Sequence, residues 1–175
     1  MTRRSLRKHA ALAAVATLAA AGTLAAGVGV AGASPAAKPQ TRHGKPVTEA
    51  QVLGLFDEWN AALQTGDPQK VAARYAKDAV LLPTVSDDVR SDRAEIVDYF
   101  EHFLRNKPVG TKIESHVDVL DRNTVIDAGT YEFALTDPRT GRESTVEARY
   151  TYVYEKQANG QWLIVNHHSS KMPEG

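Results

Sequence analysis

The hydrophobic period of this chain changes once, near Gly110, and does not change back. Upstream, apolar residues recur at helical spacing. Downstream, residues 112–120, 124–136, 143–156 and 161–168 form four long segments with strand character. Their connections are Asp121-Arg122-Asn123, Asp137-Pro138-Arg139-Thr140-Gly141 and Ala158-Asn159-Gly160, all short and rich in turn formers. Four consecutive strands joined this way are predicted to run as an antiparallel meander. The upstream half supplies the helices that cover it, which makes the fold class α+β.

The helices announce their own ends. Thr48 with Gln51 reads as a capping box with Val47 and Val52 as its staple, and Val52, Leu55, Phe56, Trp59 and Leu63 follow at helical spacing up to Gly66. Asp67-Pro68 starts a short second helix whose expected buried face is Val71, Ala72 and Tyr75. Ala79–Leu82 reads as a short strand stopped by Pro83. Asp92 with Glu95 opens a third helix through Ile96, Val97, Phe100, Phe103 and Leu104.

The first 46 residues follow different rules. Arg3, Arg4, Arg7 and Lys8 precede an uncharged Ala- and Gly-rich run from Ala10 to Ala33 that closes on Ala31-Gly32-Ala33, a pattern read as a cleaved signal peptide over residues 1–33. An uncleaved membrane anchor is the alternative for a run of this length. Thr2-Arg3-Arg4-Ser5-Leu6 resembles a twin-arginine signal. Residues 34–46 read as a flexible linker, leaving the domain at 47–173, secreted and free of the membrane once the signal is cut. Seven of the 21 basic residues precede Pro46 and all 21 acidic residues follow it, so residues 46–175 hold 14 basic groups and a net charge of about −7. Such a domain is a poor nucleic-acid binder. With no cysteine, it has neither disulfides nor thiolate metal sites.

Three segments carry a family resemblance: FDEWNAALQTGDPQKVAARYAKDAVLLPT, DAGTYEF and ARYTYVYEKQANGQWLIVNHHSSKMP. They resemble the SgcJ/EcaC-type, SnoaL-like members of the nuclear-transport-factor-2-like superfamily. They are also similar to the association domain of calcium/calmodulin-dependent protein kinase II. The resemblance implies a cone in which a curved antiparallel sheet wraps over three N-terminal helices. It also implies dimers, through the outer face of that sheet, or larger rings. The chain lacks kinase motifs, and Tyr152 and Ser169 fall where the kinase hub's pocket carries arginines.

Strand parity selects the candidate site residues. Tyr131 and Asp127 share one face of the second long strand, and Tyr150, Tyr152 and Tyr154 share one face of the third. Asp127 among apolar neighbours is either a pocket acid or base, or a paired strand-end residue. His167 and His168 point to opposite faces, so one is expected in the cone and neither chelates a metal with the other. Trp59, Tyr75, Tyr131, Arg149, Tyr152 and His168 are the candidate ligand contacts, and Asp127, His168 and His167 the candidate acid–base groups. Arg149 is left open between pairing with Asp127 or Glu147, holding an acidic ligand and crossing a dimer seam. The leading expectation is an oligomerising module with a pocket for a small, partly apolar molecule, partnered by itself and needing no cofactor or metal. A cofactor-independent isomerase or polyketide-cyclase-like enzyme is the alternative. A purely structural association module is the third reading.

Overall fold

The first helix, α1 (Glu49–Gln64), is set by its N-terminus. Thr48 accepts from the Gln51 N–H while the Gln51 side chain accepts from the Thr48 N–H. Val52, Leu55, Phe56, Trp59 and Leu63 form its buried stripe, and Gly66 ends it with φ +68°. The computed structural model describes residues 46–84 and 86–173. The expected signal segment, and all of the expected linker but Pro46, lie outside those residues.

The short helix α2 (Pro68–Ala72) is capped by Asp67, and strand β1 (Tyr75–Leu82) follows almost at once. This corrects two expectations. Tyr75 belongs to the strand instead of the helix, and the strand begins four residues before Ala79. The reason is tertiary: the Arg93 guanidinium donates to the carbonyls of Ala72 and Tyr75 and pins the turn between them. Arg93 opens helix α3 (Arg93–Phe103), whose N-cap Asp92 accepts from the Glu95 N–H. The Glu95 carboxylate reaches past Asp92 to the Ser91 N–H, so the reciprocal half of the expected box is displaced by one residue.

After a single 3₁₀ turn at Leu104–Asn106 come β2 (Val109–Val119), β3 (Thr124–Thr136), β4 (Glu143–Lys156) and β5 (Trp162–Lys171). Their order in the sheet is β1-β5-β4-β3-β2. The meander β2 to β5 is antiparallel throughout, as its turns predict, and β1 adds a parallel edge on β5. β2 starts three residues earlier than its alternation suggests because Asn60 on α1 clamps it. The Asn60 side chain donates to the Gly110 carbonyl and accepts from the Gly110 N–H, both at 2.9 Å. β5 runs three residues further than expected because Ser169, Ser170 and Lys171 find partners in Tyr150, Arg149 and Ala148.

The sheet curls around α1. Phe56 and Trp59 project into it and meet rings from β3, β4 and β5. A bulge in β2 between Lys112 and Glu114 tightens the curl, and it depends on Gly129. A Cβ at Gly129 would stand 1.9 Å from the Glu114 carbonyl oxygen. No helix among the described residues is long and apolar enough to cross a membrane.

Candidate functional site

Two polar networks lie inside the aromatic cone. The first begins at Trp59, whose indole N–H donates to the Tyr75 hydroxyl at 3.0 Å. An indole nitrogen only donates. The Tyr75 proton is therefore free for His167 Nδ1, 2.9 Å away. With Nδ1 accepting, His167 carries its proton on Nε2, which faces the Tyr131 hydroxyl at 3.4 Å. Tyr131 in turn donates to Ser169 Oγ at 2.6 Å, and Ser169 meets Thr84 at the mouth of the cone. One donor-only group thus sets the direction of every bond from Trp59 to Ser169.

The electrostatics follow from burial. Desolvation, assisted by the neighbouring His168, lowers the His167 pKa to about 3. Desolvation also raises the pKa of the Tyr75, Tyr131 and Tyr152 hydroxyls above the ordinary phenol value. At neutral pH the network is uncharged.

The second network surrounds Asp127, which is fully buried. Lys112 Nζ donates to its Oδ2 at 3.0 Å and the Tyr150 hydroxyl to its Oδ1 at 2.9 Å. Tyr150 accepts from Ser115 at 2.7 Å, and Lys112 lies 5.1 Å from the centre of the Phe56 ring. Asp127 is thus paired, with Lys112 in place of the arginine weighed from sequence. Lys112 itself escapes a sequence reading, because only the bulge brings its ammonium beneath α1. Among the described residues no hydrogen bond joins this network to that of His167.

Between the helices and the sheet the space is nearly full. Trp59, Tyr99, Phe103, Tyr131, His167 and Ser169 are among the walls of a cavity of about 10 Å³, at the lower limit for one water molecule. Tyr99 and Phe103 stack at 5.6 Å along its wall. Outside them lies an open groove of about 240 Å³ lined by Ser86, Arg90, Tyr99, His102, Phe103 and Asn106.

Several expected placements change. His168 and Arg149 are exposed on the outer face of the sheet, which removes both from the cone. Among the described residues Arg149 makes one long side-chain contact, 3.4 Å to Ser170. Tyr75 sits deep in the interior. Trp59, Tyr75, Tyr131, Tyr152 and His167 do converge, and among the described residues the buried Tyr152 hydroxyl has no hydrogen-bond partner. Asp127 and His167, the candidate acid–base groups found inside the cone, do not face one another. Asp127 is closed off by two donors, and both ring nitrogens of a neutral His167 face hydroxyls. No group of three or more candidate metal ligands occurs among the described residues.

Comparison with known proteins agrees with this architecture. Residues 48–173 match the model of the calcium/calmodulin dependent protein kinase II association domain. A candidate association domain of that kind from Xanthomonas campestris is 56% identical, with a TM-score of 0.70 over 74% of this chain and 91% of that one. A ketosteroid isomerase-like protein from Erwinia carotovora atroseptica shares the fold at 17% identity, with a TM-score of 0.61 over 71% of this chain and 96% of its own. A candidate dehydratase of the nuclear transport factor 2-like family from Streptomyces avermitilis does so at 16% identity and a TM-score of 0.63, over 71% and 96%. No curated protein matches the chain. With a cone of this topology and a family match spanning nearly all of its described residues, the chain belongs to the calcium/calmodulin dependent protein kinase II association domain family.

Proposed function

We propose that this protein is an exported association module that assembles with copies of itself through the outer face of its sheet. The observation that carries this reading is the nearly filled interior. Aromatic rings leave about 10 Å³ inside the cone, far below the several hundred Å³ of an ordinary small-molecule site. The polar groups of Trp59, Tyr75, His167, Tyr131 and Ser169 bond one another instead of pointing at an open space. The outer face offers Ile126, Ala128, Thr151 and Val153, small or aliphatic and half-buried. Family membership adds support, since association is what the family is named for. Light scattering on the purified chain at 10–100 µM (order-of-magnitude conditions for a stable assembly) should give at least twice the monomer mass. A monomer at every concentration would remove this reading.

A second reading, binding of a small, partly apolar molecule, rests on the groove at the mouth of the cone. There Arg90 lines the wall together with Tyr99, Phe103 and Asn106. Asp98 and Asp88 offset the Arg90 charge at 2.9 and 3.9 Å. A neutral ligand with an acceptor oxygen therefore suits the groove better than an anion. Titration with acetophenone, followed by NMR, should shift the Tyr99 and Phe103 ring resonances. Unchanged spectra at millimolar ligand would leave association alone.

A further inference from the structure

We propose that the seam between two copies is held by reciprocal ion pairs, with Arg149 of each protomer seated between Glu132 and Glu147 of the other. The inference rests on the association reading and deepens it by naming the contacts.

Glu132 and Glu147 are direct cross-strand partners on the outer face of β3 and β4. Like charges in that position repel. Among the described residues neither carboxylate has an ion-pair partner. Beside them a surface cavity of about 140 Å³ is walled by Ile113, Thr130, Tyr131, Glu132, Glu147 and Met172. Ile113 and Met172 are 63% and 41% exposed, so the two carboxylates are flanked by uncovered apolar surface. This is a receptor for a flat cation with an apolar stem, and a guanidinium can bond both carboxylates at once.

The cation stands one step away on the same strand. Arg149 lies two residues from Glu147, hence on the same face and about 7 Å along β4. It is exposed, and among the described residues its side chain is held only by the long contact to Ser170. A two-fold axis lying in the interface and crossing β4 at Ala148 exchanges these two positions. Arg149 of each copy then stands over the partner's Glu147, with the partner's Glu132 beside it. A two-fold interface needs such self-complementarity, in which one residue meets a second and the second meets the first. The same operation lays Ala128 and Thr151 over the partner's Ala134 and Thr145. All are small, so the sheets approach to about 10 Å, within reach of an arginine side chain.

Reversal of charge tests the pairing. Arg149→Glu should raise the dissociation constant of the assembly about a hundredfold or more. Glu132→Arg with Glu147→Arg in one chain should do the same. An equimolar mixture of the two variants should recover association as a heterodimer, which native mass spectrometry resolves by mass. Arg149→Gln, with circular dichroism as the check on folding, provides a milder version. It should weaken association and reduce its sensitivity to salt. Wild-type oligomers that survive Arg149→Glu and Arg149→Gln unchanged would overturn the ion pairs and leave the association reading standing. A monomeric wild type would remove both.

Discussion

His167 is the residue whose environment most sharply predicts a measurable response. Its pKa falls from 6.5 to about 3 on folding, so between those values the unfolded chain binds a proton that the folded chain refuses. Stability is complete above 6.5 and is lost as the pH falls, by about 1.4 kcal/mol per unit. Asp121 and Asp137 have depressed carboxyl pKa values, caused mainly by backbone N–H bonds. They add their own losses only below the ordinary carboxylate range. The interval from 6.5 to about 4.5 therefore belongs to the histidine. Urea midpoints across that interval should fall for the wild type and stay nearly level for His167→Gln. Parallel curves would mean that His167 is not buried neutral. At this scale the sequence was partly readable. Parity alone places Asp127 with Tyr131 on one face of their strand and Tyr152 on one face of the next, and it separates His167 from His168. It does not choose which histidine faces inward, because that depends on the register against Tyr152. Nor does it find Lys112, whose partner Asp127 is fixed by a bulge with no mark in the hydrophobic pattern.

The elements themselves were written more openly. Caps, Gly66, the Asp67-Pro68 step and the three turn-rich connections each act within a few residues, so local chemistry suffices to place them. Misplaced boundaries share a cause, contact with a distant element: Arg93 on the α2–β1 turn, Asn60 on Gly110, and the β4 partners of Ser169 to Lys171. The β2 bulge is the element most exposed to a single change. Gly129→Ala would drive a methyl group into the Glu114 carbonyl, and the strands must separate or the bulge must move. A loss of about 3 kcal/mol is expected from overpacking of this kind. Chemical denaturation measures it directly. A loss below about 0.5 kcal/mol, the range of neutral surface changes, would show that the bulge adapts freely.

For the whole molecule, stability and assembly are linked. If copies associate through the outer face, folding is coupled to concentration by mass action. The melting temperature of the wild type should then rise by several degrees from 1 to 100 µM, and that of Arg149→Glu should not. Equal, concentration-independent melting of both chains would count against a stabilising seam. The interior has a different consequence. A chain of hydroxyls around an imidazole resembles a proton relay, yet relays must reset by reversing every bond. Trp59 cannot accept a proton, so the Tyr75 hydroxyl can never turn back toward it, and the imidazole stays in a single tautomer. The file from Trp59 to Ser169 is consequently an electrical insulator: its polar groups are locked in one orientation, with no return path for charge.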